Sequence, residues 1–503
     1  MNDGRTISAA KNFKFNMLNK IVTIILSFIS RTIFIWGFGV SFLGINGLFN
    51  DILNLLSMTD LGFSTAISFS FYKLLANNDY NQIAALTNFY KKIYQKIALA
   101  VLIIGIAIIP ALPYLIKLDK NIPLLNVYYL FSLSNVVFSY LFIYKTSILT
   151  ADQKNYVVVK ITIISNIIKT ILQITSIFFF KNYIIYLIIG TATTLFNNIY
   201  ASKVASQYYP FINRNIQLDS KHKTSIFKNI YSAFIYKVSS VLLTATDNIL
   251  ISVIAGTISV GLYSNYLLIQ TTSITFFTLI FSSLTASIGN LIATEGYKKR
   301  LSIFKITQSI GFVLGCIIVP CYITLINDFI RIWLGSKFLY GNNVVLVIGL
   351  NMYLATVLQP LWLYRDATGL YNKTKWIMLI CAIENIFLSI VLGKIFGIFG
   401  IIFASSISRI STYIWYEPIF LYKEYFNENP SSYFYALIKN FILIVLITII
   451  CSIISSTIIV NNFALWFVKA LLFLIITTLV AVISYHNSEG IQLLKQKMYQ
   501  LKK

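Results

Sequence analysis

Charged residues are scarce in this sequence. They make up 11% of its 503 residues, whereas soluble domains carry about 25%. Only 16 residues are acidic, and the two histidines, His222 and His486, fall in polar connections. This composition excludes an ordinary soluble domain, and the placement of the histidines excludes a histidine proton relay inside a membrane.

Cysteine and nucleotide-binding motifs are equally sparse. Cys316, Cys321, Cys381 and Cys451 all lie in apolar runs and form no CxxC spacing, so we expect small core residues rather than metal ligands. The sequence contains no GxxxxGK(S/T) loop, which excludes an ATP-driven pump unless a partner supplies the ATPase. We therefore predict no cofactor, no metal and no catalytic residue.

Long apolar runs are what the sequence has in abundance. Hydrophobic residues make up 57% of the chain. A run of about twenty residues crosses a ~30 Å hydrocarbon core as a helix, whereas a β-barrel would show short alternating segments. The runs predict an all-α polytopic membrane protein with about fourteen transmembrane helices, at residues 18–43, 48–75, 93–116, 123–150, 156–180, 183–206, 225–256, 260–293, 301–326, 343–364, 374–396, 398–422, 435–460 and 463–485.

A weak internal repeat indicates two lobes. Gly47-Leu48-Phe49-Asn50 opens the second predicted helix, after Gly44, and Gly261-Leu262-Tyr263 opens the eighth, after Gly256. Parallel repeats of six helices are one way in which transporters build two lobes. We predict an N-terminal lobe at 1–206, a cytoplasmic linker at 207–224, a C-terminal lobe at 225–423, two further helices within 424–485 and an amphipathic tail at 486–503.

Lysine and arginine are distributed unevenly between the two sides. With the N-terminus inside, cytoplasmic segments hold about 29 of the 40 and outer connections about 7. The positive-inside rule then places both termini in the cytoplasm of a bacterium, with the chain in its inner membrane. The net charge of +24 is explained by attraction to anionic lipids and not by nucleic acid. The tail is expected to lie on the inner membrane surface, with a short solvated helix as the alternative.

Eight of the ionisable side chains inside the predicted helices are candidates for a functional site. A charge at the bilayer centre costs at least ~2.5 kcal/mol on insertion scales, so each needs a partner or a wet cavity. They are Arg31, Asp60, Lys169, Lys237, Asp247, Glu384, Arg409 and Glu417. All except Glu417 are predicted to contribute to substrate binding in a polar cavity, and structural ion pairs or snorkelling are the alternative. Lys169 and Glu384 could each pair within their own lobe. Arg409 could pair with Glu417 along one helix, since Arg409, Tyr413 and Glu417 follow one another at four-residue spacing and so share a face.

Depth in the membrane separates these candidates. Arg31 lies about thirteen residues into the first predicted helix and Lys237 lies similarly deep in the seventh, which favours a functional role for both. Asp247 is nearer the outer end, where a structural hydrogen bond is an equal alternative. Asp60 precedes Gly62, so its carboxylate could instead bond backbone groups freed by a kink.

The connections between helices leave no room for an enzymatic site. The longest outer connection, at 327–342, has about sixteen residues. A membrane glycosyltransferase or repeat-unit polymerase would be expected to carry catalytic carboxylates in a sizeable outer loop. We therefore predict that the protein is not an enzyme.

Five short motifs follow one another in a characteristic order. They are Asp60-Leu61-Gly62, Tyr208-Tyr209-Pro210-Phe211, Asp247-Asn248-Ile249-Leu250-Ile251 with Gly261-Leu262-Tyr263, Gly369-Leu370-Tyr371-Asn372-Lys373, and Gly397-Ile398-Phe399-Gly400-Ile401. Over nearly the whole chain, this set resembles the polysaccharide repeat-unit flippases of the multidrug/oligosaccharidyl-lipid/polysaccharide (MOP) superfamily. The resemblance implies two six-helix lobes around a central cavity, two extra helices, and alternating access.

The resemblance also implies a cargo. This would be undecaprenyl-pyrophosphate carrying an oligosaccharide for capsule, exopolysaccharide or O-antigen, with Arg31 and Lys237 as the cations that meet the pyrophosphate. Membrane lipids, a polysaccharide polymerase and glycosyltransferases are the further partners it suggests.

A lipid II flippase and a cation-coupled multidrug antiporter of the same superfamily remain alternatives, and a membrane polymerase is a weaker one. Fourteen helices fit a lipid-linked cargo better than the twelve usual in drug exporters. Lipid II flippases tend to show several arginines in the first two helices, where this chain has only Arg31.

Overall fold

The chain folds into α-helices. The structure, a computed structural model, describes residues 5–57, 70–72, 74–75, 77–119, 122–218 and 220–502, and these contain no strand. Eleven of the described helices are long and apolar enough to cross a membrane, or twelve if one bent pair forms a single span. The predicted all-α polytopic membrane fold is confirmed.

Seven long helices lie in the described part of the first half of the chain. They are α1 (Arg5–Phe38), α2 (Val40–Leu56), α3 (Tyr80–Ile108), α4 (Leu125–Ala151), α5 (Asn155–Phe180), α6 (Tyr183–Tyr208) and α7 (Ser220–Thr294). Gly256 breaks α7 with a φ of 85° and a ψ of 170°, outside the helical region. The seventh and eighth predicted spans therefore lie on the two sides of this break. The second predicted span, 48–75, falls partly outside the described residues.

Nine α-helices follow among the described residues of the second half. They are α8 (Tyr297–Leu334), α9 (Asn342–Val357), α10 (Gln359–Thr368), α11 (Tyr371–Phe396), α12 (Ile398–Ser411), α13 (Tyr413–Leu421), α14 (Ser431–Thr457), α15 (Phe463–Tyr485) and α16 (Glu489–Lys502). The α8 helix continues to Leu334, so the connection predicted at 327–342 shortens to residues 335–341.

Two of the predicted spans are interrupted. The tenth becomes α9 and α10, which meet at an angle of 41°. Pro360 is near the start of α10, where a proline lacks the N–H that would continue the ladder of the preceding helix. The twelfth becomes α12 and α13, because Thr412 takes a φ of −114° and a ψ of −94°. Hydropathy alone did not reveal either interruption.

Packing divides the chain into two compact units, Met1–Gly261 (unit 1) and Leu262–Lys503 (unit 2). In unit 1, α1 packs on α5, and α4 packs on α3 and α6. In unit 2, α11 packs on α12, and α8 packs on α9, α14 and α15. The division falls inside α7, whereas the sequence analysis placed its linker at 207–224. The predicted lobes and tail remain a prediction.

The cysteines and the tail helix have structural contacts. Cys316, Cys381 and Cys451 are buried and Cys321 is half-buried, all as free thiols, which agrees with a core role. The tail helix α16 packs against α8, where Lys305 forms an ion pair with Glu489 at 2.7 Å. The tail helix therefore contacts another helix of the same chain, in addition to the membrane surface predicted for it.

Candidate transport site

The structure describes six of the seven predicted substrate-binding residues, and Asp60 lies outside the described ranges. All six are half-buried. Unit 1 contains Arg31 in α1, Lys169 in α5, and Lys237 and Asp247 in α7; unit 2 contains Glu384 in α11 and Arg409 in α12.

Arg31 lies nearer a helix end than its sequence position suggested. The predicted first span ran to residue 43, but α1 ends at Phe38, seven residues after Arg31. At 1.5 Å per residue this is about 10 Å. Phe34, one turn beyond Arg31, packs edge-on against Tyr186 and Tyr183, with ring centroids 5.2 and 5.9 Å away. The guanidinium therefore emerges from α1 one turn from a cluster of aromatic rings.

Lys169 is half-buried on α5 and faces Gly190 of α6. A Cβ built on Gly190 of α6 would lie 3.9 Å from Lys169 Cε and 3.1 Å from Gln173 Nε2. The absence of a side chain at Gly190 thus leaves room for the Gln173 amide, while the Lys169 stem would be at an ordinary contact distance. Among the residues that the structure describes, the Lys169 ammonium has no hydrogen-bond or carboxylate partner. The pairing expected for Lys169 within its own lobe is therefore not seen in the described part of the chain.

A carboxylate that the sequence analysis did not single out joins α2 to α7. Asn248 Nδ2 donates a hydrogen bond to Asp51 Oδ2 at 2.7 Å. Asn248 belongs to the motif that begins at Asp247, and Asp51 directly follows the string that begins at Gly47. A lone acidic residue inside the apolar helix Val40–Leu56 was the available signal.

The breaks before α2 and inside α7 have the same backbone conformation. Gly39 has a φ of 87° and a ψ of 174°, and Gly256 has a φ of 85° and a ψ of 170°. Residues with a side chain rarely adopt such a positive φ, so both breaks depend on glycine. The first predicted helix, given as 18–43, is therefore interrupted at Gly39.

The segments that follow these breaks touch through a reciprocal glycine contact. A Cβ built on Gly44 would lie 2.0 Å from the Thr257 carbonyl oxygen, and one built on Gly261 would lie 2.3 Å from that of Val40. Each glycine is five residues after its own break, and each carbonyl belongs to the residue directly after the other break. The internal repeat thus aligns Gly44 with Gly261, which corrects the earlier alignment of Gly47 with Gly261.

This alignment also decides whether the two main cation candidates are equivalent. Counted back from the two glycine breaks, Arg31 and Asn248 both lie eight residues before a break. Lys237 and Lys20 both lie nineteen residues before one. Arg31 and Lys237 therefore do not occupy corresponding positions in the repeat.

A short connection after α3 fixes the break in α7. Asp119 Oδ2 accepts hydrogen bonds from the Ile258 N–H at 2.6 Å and from the Thr257 hydroxyl at 3.0 Å. The Thr257 N–H donates to the Lys117 carbonyl at 3.1 Å. Asp119 thus satisfies one N–H group freed by the break, as a helix N-cap does, and the Lys117 carbonyl satisfies another. A Cβ on Gly256 would lie 2.2 Å from Asp119 Oδ1, so this glycine is needed for space as well.

The charges of unit 2 pair differently from the prediction. Glu417 Oε1 accepts from Arg365 Nη1 at 3.0 Å, and the two side chains are only 6% and 9% exposed. Arg409 instead donates to Asn351 Oδ1 at 2.7 Å. The expected pair of Arg409 with Glu417 is wrong because the interruption at Thr412 disrupts the regular helical spacing between them.

Glu384 is also held within unit 2, but by a hydroxyl. Ser411 Oγ donates to Glu384 Oε1 at 2.6 Å. The pairing partner expected for Glu384 within its own lobe is therefore a neutral side chain at the end of α12. This contact favours a structural role at least as much as one in binding.

The motif at Tyr208–Phe211 forms part of a connection. Tyr209 is buried and donates a hydrogen bond to Asp152 Oδ2 at 2.5 Å, and Lys154 forms an ion pair with Asp152 at 2.7 Å. Burial, and next the hydrogen bond to Asp152, raise the pKa of Tyr209. This motif therefore links the connection after α6 to the one after α4.

Comparison with known proteins identifies the fold. No protein-family profile and no curated protein sequence matches the chain. The lipid II flippase MurJ, in an inward closed conformation, matches with a TM-score of 0.65 and 19% identity over 94% of this chain and 99% of that one. An inward-facing multidrug resistance MATE transporter of the MOP superfamily matches with a TM-score of 0.58 and 13% identity, over 78% of this chain and 93% of that one. A MOP superfamily transporter from Pyrococcus furiosus matches with a TM-score of 0.53 and 14% identity, over 84% of this chain and 97% of that one. The chain therefore has the fold of the MOP superfamily transporters.

Proposed function

We propose that the protein flips undecaprenyl-pyrophosphate-linked oligosaccharide repeat units from the cytoplasmic to the outer leaflet, for capsule, exopolysaccharide or O-antigen synthesis. One observation carries the proposal. Three half-buried cations, Arg31, Lys169 and Lys237, lie inside apolar helices of a chain that shares its fold with a lipid II flippase over 94% of its length. Such cations suit a cargo whose headgroup is an anion.

The chemistry of the cargo explains why cations are needed. A bare pyrophosphate is strongly disfavoured in a low-dielectric region, and a cation that pairs with it lowers that cost. Arg31 can donate two hydrogen bonds to phosphate oxygens, whereas the two lysines act as point charges. Few cations are preferable to a dense cluster, because the cargo must be released on the other side.

Alternating access also needs a contact that can open. In unit 1, Gly44 of α2 and Gly261 of α7 closely approach carbonyls of the other helix. The same two helices are joined by a hydrogen bond from a neutral amide, that of Asn248, to Asp51. We propose that these segments touch in one conformation and separate in another. The energy for this movement comes from differential binding of the cargo and not from covalent chemistry on it, so the protein is a transporter and not an enzyme.

A lipid II flippase is the second candidate. Among the structures compared above, MurJ has the highest TM-score, 0.65. Both cargoes would present an undecaprenyl pyrophosphate to the same cations and differ in their sugars. The multidrug antiporter has weaker support, from a MATE transporter with a TM-score of 0.58 that covers 78% of this chain.

The two candidates differ in what accumulates when the gene is deleted. We expect deletion to trap a lipid-linked oligosaccharide in the inner leaflet of the cytoplasmic membrane while lipid II still reaches the outer leaflet. Labelling of each intermediate with an impermeant reagent, before and after permeabilisation, measures its side. Trapped lipid II would support the second candidate, and normal delivery of both lipids would contradict both.

Neighbouring proteins follow from the same proposal. Glycosyltransferases would supply the lipid-linked cargo inside the cell, and a polysaccharide polymerase would consume it outside. The proposal places the chain in the inner membrane with both termini in the cytoplasm, as the charge distribution predicts.

A further inference from the structure

A polar cavity lies within unit 2, where α8 and α14 end and α9 and α15 begin. Its volume is about 480 Å³, within the ~300–1,000 Å³ of typical small-molecule sites. Nine of its fourteen lining residues are polar. Because polar groups in a membrane need hydrogen-bond partners, this cavity suits a ligand with several hydrogen-bonding groups.

The charged side chains of the cavity do not cancel. Asp328 accepts from Lys469 Nζ at 2.7 Å and from Arg331 Nη2 at 2.5 Å. The Lys469 side chain is only 1% exposed, and the carbonyls of Ser455 and Ile458 also accept from it, at 3.2 and 3.3 Å. Two cations share one carboxylate, which leaves one positive charge in surplus.

Arg331 has the free hydrogen-bond donors. Its two contacts in the described part of the chain, with Asp328 and with the Val460 carbonyl, both use Nη2. Within that part, Nη1 and Nε remain open, and 43% of the side chain is exposed. A planar guanidinium with two open nitrogens suits the oxygens of a phosphate.

Part of the exposed rim of the cavity is apolar. Leu346 and Ile459 line it and are 51% and 76% exposed, and Ile453 on α14 is 63% exposed. On a membrane-spanning bundle, such side chains contact lipid tails. A ligand with a polar head in the cavity and an apolar tail across these side chains would satisfy both surfaces.

We propose that this cavity binds the headgroup of a phospholipid with one phosphodiester charge and free hydroxyls, as in phosphatidylglycerol. The single negative charge balances the surplus, and the headgroup hydroxyls hydrogen-bond to lining residues such as Ser455 and Asn342. A zwitterionic headgroup would bring an ammonium next to Lys469 and Arg331, so it binds more weakly. The charge distribution predicts that this end of the helices faces outside, which makes the ligand an outer-leaflet lipid.

The test is lipid retention by the purified full-length chain. Native mass spectrometry follows titration with phosphatidylglycerol or phosphatidylethanolamine. Arg331→Gln should weaken phosphatidylglycerol binding by about tenfold or more, since it removes a charged donor. Lys337→Gln is the matched control, because Lys337 is an exposed cation six residues further along, in the connection after α8, and does not line the cavity. Leu346→Trp fills the mouth without changing the charge and should cause a similar loss.

Four results would overturn the proposal. Unchanged phosphatidylglycerol retention in folded Arg331→Gln and Leu346→Trp would show that this cavity is not the site. An equal loss in Lys337→Gln would mean general attraction to surface charge. Equal binding of phosphatidylethanolamine would remove the argument from charge. Displacement by millimolar glycerophosphate, as effective as displacement by the lipid, would identify a site for soluble anions.

Discussion

Carboxylates in two regions of the molecule accept hydrogen bonds from different kinds of donor. One region is the α2–α7 contact of unit 1 with the neighbouring helix break, and the other is the contact between α10 and α13 in unit 2. Asp119, next to the break at Gly256, and Asp51, which joins α2 to α7, both accept from neutral donors, among them the amide of Asn248. Glu417 accepts from the guanidinium of Arg365, and both side chains are buried.

The difference indicates which contact can move. Removing one partner of a buried ion pair leaves an uncompensated charge, which costs about 3–5 kcal/mol. A typical hydrogen bond contributes about 0.5–1.5 kcal/mol net, and one to a charged group about 1.5–3 kcal/mol. The glycine contact is therefore the cheaper one to open and re-form, and the Arg365–Glu417 pair is expected to stay closed throughout transport.

The largest effect is expected from Arg365→Ala. It should lower the free energy of unfolding by about 3–5 kcal/mol, because Glu417 would remain buried without its partner. Thermal unfolding of the purified protein measures this. Lys373→Ala is the control: its pair with Glu424 is exposed, with side chains 48% and 37% accessible, and should be worth about 0–1 kcal/mol. Equal losses in the two variants would remove the contrast on which the comparison depends.

The next largest effect tests the glycine contact. Gly44→Ala places a Cβ where only 2.0 Å separates it from the Thr257 carbonyl oxygen, so the segments must shift apart at a cost of about 1–3 kcal/mol. Transport should fall more than stability does, because the conformation with this contact closed becomes less populated. Gly47→Ala is three residues further along α2, has nothing within 4 Å of its Cβ, and should be tolerated. Normal transport by Gly44→Ala would show that closure of this contact is not required.

A smaller effect is expected from Asp119→Ala. The Ile258 N–H and the Thr257 hydroxyl would lose their acceptor, at a cost of about 1 kcal/mol, as for a lost helix N-cap. Asp119→Asn keeps an acceptor and should recover part of that loss. Hydrogen exchange of the Ile258 amide measures the effect locally, and unchanged protection in Asp119→Ala would contradict the role assigned to this carboxylate.

The smallest effect on stability is expected from Asp51→Asn. The new amide can still accept from Asn248 Nδ2, so unfolding should change by less than about 1 kcal/mol. If the contact only joins α2 to α7, transport should also persist. A stable but inactive Asp51→Asn protein would instead indicate that the charge of Asp51 takes part in coupling to a cation.

The fold could be read from the sequence to a large extent because membrane spans depend on composition. Twenty apolar residues predict a helix whatever its neighbours are. The bend at Leu358 could not be placed, because a membrane helix can contain a proline, here Pro360, whose freed backbone groups are satisfied by neighbouring helices. The interruption at Thr412 has no proline beside it and leaves no mark in the hydropathy. The repeat was recognised at Gly261 but aligned to the wrong partner, because the position of a break depends on φ, which the sequence gives only indirectly.

The candidate site was harder to predict, because pairing depends on tertiary contacts. Arg365 lies just beyond the predicted span 343–364, yet it is buried against Glu417. Lys469 lies near the start of the predicted span 463–485, yet it is buried against Asp328. Asp51 directly follows a glycine motif, and its hydrogen bond with Asn248 was not predicted. In each case the partner lies far away in the sequence, where neither spacing nor hydropathy identifies it.

The most direct test of the proposed function is flipping by the purified protein in vesicles. Undecaprenyl-pyrophosphate-linked oligosaccharide would be incorporated with wild-type protein, Arg31→Ala, Arg31→Lys or Lys14→Ala, the last removing an exposed cation of the same helix. The fraction that becomes accessible to an impermeant probe, normalised to protein, is measured over time. We predict transfer by the wild type and Lys14→Ala, partial transfer by Arg31→Lys, which keeps the charge but not the two-pronged geometry, and none by Arg31→Ala. Wild-type transfer by a folded Arg31→Ala protein would show that this arginine is structural, and no transfer by the wild type above protein-free vesicles would contradict the proposed function itself.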